Sequence, residues 1–156
     1  MVFGHIFDAI EGISESCKRV LRSLYELEES AGDGHEKVAE GEKETEIVEH
    51  YGTLGRLFEC NHGLLNAMGV GHASLDAVCR ATKAHGLPAK LTGAGGGGCA
   101  IALISPGTPR DVVDAATADL QAQKCLVFET LLGVPGVRAE RQLPASIAGK
   151  LTEKSA

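Results

Sequence analysis

Apolar residues recur along the first part of the chain at helical spacing. From His5 to Leu27 they fall at Ile6, Ile10, Ile13, Cys17, Val20 and Leu24, with charges between them, which predicts an amphipathic helix. A second stripe, Ile47, Tyr51, Leu54, Phe58, Asn61, Leu65 and Met68, predicts a helix from about Glu44 to Met68. Its one polar member, Asn61, has to find a hydrogen-bond partner if buried. Gly69-Val70-Gly71 should stop that helix, because glycine accepts the left-handed conformation that closes helix ends. His72 to His85 then reads as a third helix with Leu75, Val78, Cys79 and Thr82 inward, and with Ser74 and Asp76 capping its positive end. Gly86-Leu87-Pro88 ends it.

Beyond Pro88 the period changes. Ala89 to Thr92 reads as extended, Gly93 to Gly98 as a loop, and Cys99 to Ile104 as a short buried strand. Thr108-Pro109-Arg110-Asp111 predicts a helix start, with threonine as cap and proline at the first helical position, running to about Gln123. Strands are predicted at Leu126 to Leu132 and Val137 to Leu143, around a Gly133-Val134-Pro135-Gly136 turn. Three helices followed by strands, a helix and strands make one α+β domain over residues 1–156, with helices packed on a small antiparallel sheet.

Charge changes this picture in one place. The net charge of −6 comes from 15 basic and 21 acidic residues, and residues 26–46 hold nine of the acids and two of the bases. That leaves 13 bases and 12 acids elsewhere. Residues 26–46 are accordingly read as an acidic mobile loop, since the central part, 28–44, offers little apolar surface to offset its ordering entropy. With no basic stripe, nucleic acid is not expected as a partner. The longest apolar run, Cys99 to Ile104, is far below the ~20 residues of a membrane span, and the first residues do not read as a signal peptide. Five widely spaced cysteines without a Cys-x-x-Cys pair suggest buried, reduced thiols rather than disulfides or a zinc site, and six histidines add no close ligand pair. A cytoplasmic location follows from that reading, and no metal ligand is assigned.

The chemistry concentrates at Gly93-Ala94-Gly95-Gly96-Gly97-Gly98. A plain hairpin needs one or two glycines, whereas a loop without side chains lets successive backbone N–H groups converge on an anion. The string matches the dinucleotide pattern Gly-x-Gly-x-x-Gly, but a strand, not a helix, follows it. Cys99-Ala100 stands where a Walker loop requires lysine and a hydroxyl residue. A strand–loop–strand phosphate cradle is left. Thr92 could meet a substrate oxygen or be an ordinary strand threonine. Lys90 could add positive charge or be a solvated edge residue. Cys99 reads as a core thiol, Glu129 as a solvent-facing or structural acid, and His72 as a helix-start residue.

Lys90-Leu91-Thr92-Gly93-Ala94-Gly95-Gly96-Gly97-Gly98-Cys99 closely resembles the third motif of the GHMP kinases, in the form carried by the members that phosphorylate mevalonate. Three further stretches agree: Leu65 to Asp76, Glu129-Thr130 with Gly133 to Val137, and Ile13 to Leu21. The resemblance implies a ferredoxin-like C-terminal domain. It also implies transfer of the γ-phosphoryl of ATP, as its Mg2+ complex, to the C5 hydroxyl of mevalonate, an early step of isoprenoid and sterol synthesis. Gly93, Ala94, Gly95, Gly96, Gly97 and Gly98 would bind the phosphates and Thr92 would touch the substrate. The family's Pro-x-x-x-Gly-Leu-Gly-Ser-Ser-Ala loop, catalytic Asp and active-site Lys have no counterpart in this sequence. The resemblance therefore implies that this chain is the C-terminal half of such an enzyme, as a truncated gene model, an expressed fragment or one product of a divided gene. It implies too that the partner is the missing N-terminal half, which carries the Mg2+ ligands and the catalytic groups, and that this chain alone is inactive. It leaves a homodimer open. Other GHMP kinases, or a metabolite-binding module without catalysis, remain alternatives.

Overall fold

The computed structural model describes residues 2–29 and 37–130. Its elements run in the order α1 (Val2–Glu29), α2 (Lys37–Ala67), α3 (Ala73–Ala84), β1 (Ala89–Thr92), β2 (Cys99–Ala102) and α4 (Arg110–Ala122). Both predicted stripes face inward. Leu24 of α1, Leu54 of α2 and Leu103 after β2 form one buried cluster, flanked by Cys17, Val20, Ile47, Tyr51 and Phe58. The second part of the core lies between α3, α4 and the hairpin, where Leu75, Leu87, Ala89, Leu91, Val113, Ala116 and Leu120 are buried. Leu91 is 1% exposed, so its burial alone contributes about 2 kcal/mol. No helix among the described residues is long and apolar enough to cross a membrane.

Strands β1 and β2 form an antiparallel hairpin with Thr92 opposite Cys99 and Ala89 opposite Ala102. Ala89 and Leu91 point into the core, and Lys90 and Thr92 lie on the other, half-buried face. The hairpin is closed at its far end by the Leu103 N–H donating to the Pro88 carbonyl at 2.8 Å. The α+β class and the antiparallel pairing are as the sequence predicts.

Helices α2, α3 and α4 end in the same way. At α2, Gly69 takes φ +78°, its N–H donates to the Asn66 carbonyl, and the Val70 N–H reaches back to Leu65. This is the paired bonding that satisfies otherwise orphaned terminal carbonyls. Gly86 and Leu87 repeat it on α3, bonding Lys83 and Thr82. On α4 the left-handed position is filled by Lys124 at φ +64°, the one non-glycine residue with positive φ among those described.

Several expectations are corrected. The acidic segment is not a loop throughout: α1 continues to Glu29 and α2 starts at Lys37, leaving residues 30–36 outside the described residues. Glutamate, lysine and alanine are good helix formers, and extending a helix already anchored by its buried stripe costs little. The run Cys99 to Ile104 is a strand only to Ala102, and it is mostly exposed, with Ile101 44% and Ile104 42% accessible. An apolar run predicts burial on both faces, but of this one only Leu103 enters the core. Cys99 is accordingly an exposed thiol, and Cys60 is exposed as well, while Cys17, Cys79 and Cys125 are half-buried; all five are free. Thr108 does not cap α4. Pro109 occupies the cap position, and the Thr108 hydroxyl instead donates to the Ser105 carbonyl at 2.7 Å. Residues 126–130 are not a strand. Leu126 and Phe128 are 86% and 82% exposed, and Glu129 grips Arg110 through two hydrogen bonds of 2.7 and 2.8 Å. The remainder of that predicted strand and the one at Val137 to Leu143 lie outside the described residues.

Candidate functional site

The glycine run forms the six-residue connection of the β1–β2 hairpin, so a strand leads into it and a strand leaves it. Gly93, Gly95, Gly96 and Gly97 all adopt positive φ, between +68° and +103°. The loop is largely exposed and no side chain projects from it except the methyl of Ala94. Without side chains, a loop of this kind leaves its main chain open to close approach by a ligand.

The loop leans on the corner between α2 and α3. The Gly96 N–H donates to the Val70 carbonyl at 3.2 Å. A Cβ on Gly95 would collide with that same carbonyl and with the Val70 side chain. A Cβ on Gly97 would press on the His72 ring at 3.2 Å. His72 in turn caps α3, its Nδ1 accepting from the Ser74 N–H at 3.1 Å. Glycine at 95 is thus required twice, by backbone conformation and by close approach.

Beneath this corner lies a polar cluster that the sequence reading missed. His62 Nδ1 accepts the Leu91 N–H at 3.2 Å, so the proton of a neutral ring sits on Nε2 and is donated to Asp76 Oδ1 at 2.9 Å. Asn66 Nδ2 donates to the same carboxylate oxygen at 2.8 Å. The Asn66 and His62 hydrogen bonds hold the Asp76 carboxyl below the usual carboxylate range. Cys79 borders the cluster, and burial, aided by the Asp76 charge, pushes its thiol pKa up. Asp76 was expected to cap α3; it instead ties α3 to α2. The signal available in the sequence was the pairing of His62 and Asn66 one helical turn apart on α2.

Lys90 is half-buried, and burial lowers its pKa. Its Nζ donates to the Leu91 carbonyl at 2.9 Å, and the side chain lines a cavity with Cys17, Phe58, Asn61 and Ile101. Lys90 is not a fully solvated edge lysine. Thr92 is half-buried at the end of β1, next to the loop and opposite Cys99. Among the described residues no three His, Cys, Asp or Glu side chains converge to hold a metal ion. The loop does fit a polyphosphate: it presents main chain without obstructing side chains.

A family model described as GHMP kinases C terminal matches residues 43–122, from α2 through α4. Mevalonate kinase of Bos taurus is 41% identical over 132 residues, covering 85% of this chain and 29% of that protein. Mevalonate kinases of Arabidopsis thaliana and Schizosaccharomyces pombe are 34% and 36% identical over 83% and 87% of this chain. The chain thus spans about a third or less of these relatives' length. With a hairpin-borne glycine loop seated on the α2–α3 corner and the match running across both, the chain belongs to the GHMP kinase family, in its C-terminal domain.

Proposed function

We propose that this chain is the phosphate-binding C-terminal part of a mevalonate kinase, which transfers the γ-phosphoryl of ATP to the C5 hydroxyl of mevalonate. The observation that carries the reading is the exposed hairpin loop Gly93 to Gly98, whose positive-φ main chain presents a surface without side chains. The similarity to mevalonate kinases over more than four-fifths of the chain supports the substrate.

In this reading the main-chain amides of the loop donate to phosphate oxygens, and the lack of side chains lets the triphosphate approach closely. Gly96 commits its N–H to Val70 and so serves as the anchor of the cradle. Thr92 stands at the loop's entry, where its hydroxyl can orient a substrate oxygen. ATP supplies the transferable phosphoryl group. The acid–base chemistry and the Mg2+ site belong to the N-terminal half, a partner segment of the complete cytoplasmic enzyme. Phosphoryl transfer rests mainly on positioning and charge neutralisation, so this chain alone contributes one wall of the clamp and turns over little.

The test is reconstitution. Combining this chain with the N-terminal half of a mevalonate kinase should yield mevalonate-dependent ATP turnover, and Gly96→Val or Gly97→Val should abolish it. Turnover that survives both substitutions refutes the loop assignment. Tight binding of an anionic metabolite by the chain alone, with no turnover on adding the partner, would make it a sensor module instead.

A further inference from the structure

The cluster of His62, Asn66 and Asp76 makes no hydrogen bond to the glycine loop, yet it joins the elements on which the loop rests. Asp76, in the first turn of α3, accepts hydrogen bonds from two residues in the last two turns of α2. The five residues between Ala67 and Ala73 are thereby clamped at their base. Val70, in the middle of them, supplies the carbonyl that anchors Gly96. The opposite nitrogen of the His62 ring holds the Leu91 N–H of β1, the strand that enters the loop. One ring and one carboxylate therefore fix both supports of the loop: the corner it leans on and the strand it springs from.

The arrangement is held against a cost. Asn66 Oδ1 is buried and has no hydrogen-bond partner among the described residues, which is unfavourable for an amide. That oxygen fills the space where a side chain at position 71 would go. Turning the amide over would satisfy Nδ2 no better and would set Oδ1 against the Asp76 carboxylate. Asn66 is thus oriented by Asp76, and Gly71 can pass over it only because it has no side chain. A hydrophobic residue at 66 would avoid the orphaned oxygen but would leave Asp76 held by His62 alone.

We infer that His62, Asn66 and Asp76 are positioning residues for phosphate binding: they lock the α2–α3 corner so that the Val70 carbonyl seats the glycine loop in its anion-holding conformation. The inference rests on the reading of Gly93 to Gly98 as the phosphate loop, and its test separates the two.

The probe is inorganic tripolyphosphate, titrated into the full chain while the amide resonances of the loop are followed by NMR, with hydrogen exchange of the Gly96 amide measured in parallel. Asp76→Ala, which removes both charge-assisted hydrogen bonds, should lower the protection of the Gly96 amide by about tenfold or more and weaken tripolyphosphate binding by a similar factor. Asp76→Asn, which keeps an acceptor oxygen in place, should recover most of both. Leu120→Ala, which loosens the core from the α4 side, should lower the melting temperature while leaving Gly96 protection, relative to Leu91, unchanged. If Asp76→Ala destabilises the chain but leaves relative Gly96 protection and tripolyphosphate affinity at the wild-type level, the clasp is merely structural and the inference falls. If Asp76→Ala strips Gly96 of protection but the wild-type loop does not respond to tripolyphosphate, the seating stands and the phosphate reading fails instead.

Discussion

Substituting alanine along the glycine loop should produce a graded series rather than a uniform loss. Gly98 has no positive φ, and a Cβ there would meet only the Gly95 carbonyl at 3.8 Å, an ordinary contact. Gly98→Ala should cost close to nothing. Gly93 and Gly96 sit at φ +75° and +68° with open space around them, so each alanine carries the left-handed penalty alone, about 1 kcal/mol. Gly95 combines φ +75° with collision against the Val70 carbonyl. The clash has a ceiling, because the loop can swing off the corner and give up the Gly96–Val70 hydrogen bond, worth about 1 kcal/mol net. Gly95→Ala should therefore cost about 2 kcal/mol, a loss set by strain plus unseating. Urea denaturation of the chain reads this directly. With a slope of about 2 kcal/mol per molar, the midpoint should hardly move for Gly98→Ala. It should fall by about 0.5 M for Gly93→Ala and Gly96→Ala, and by about 1 M for Gly95→Ala. A flat series, or Gly95→Ala no worse than Gly93→Ala, would show that the loop does not rest on Val70.

Leu91→Ala removes the most completely buried side chain of the hairpin and should cost about 3 kcal/mol in the same denaturation assay. Lys124→Gly relieves a left-handed lysine at the end of α4 and should raise the melting temperature by about 2 °C, the gain reduced by glycine's freedom in the unfolded chain. Because hydrogen bonds depress the folded-state pKa of Asp76, its contribution is fully present above the ordinary carboxylate pKa of about 3.9 and is lost as pH falls below it. Stability measured from pH 6 down to pH 2 should therefore fall less steeply in Asp76→Asn than in the wild type, and parallel acid limbs would contradict the assigned hydrogen bonds.

Periodicity carried the helices because burial in α1 and α2 follows a single stripe: Ile6, Ile10, Ile13, Cys17, Val20 and Leu24 are the positions that turn inward. It misjudged β2, since an apolar run such as Cys99 to Ile104 reports what a strand could bury, not how many layers cover it. Helix ends were legible at Gly69 and Gly86, where glycine supplies the left-handed residue, and at about Gln123 on α4; that Lys124 would bear the left-handed conformation there was not. The loop stood out by composition alone. Its support did not, because the meeting of His62, Asn66, Asp76 and Leu91 depends on how α2, α3 and β1 are stacked. Asp76 had a local explanation as a helix-start acid, and that explanation concealed the tertiary one.

The hairpin is fastened away from its tip. Pro88 and Leu103 close the far end, and Leu87, Ala89 and Leu91 bury themselves beside them, whereas the run of glycines cannot dictate register. Alignment of the strands is thus set at the buried base of the hairpin and not at its tip. Residues added or removed there would leave the strands in step and alter only the mouth, which makes this hairpin a place where affinity can be retuned by length without endangering the rest of the molecule.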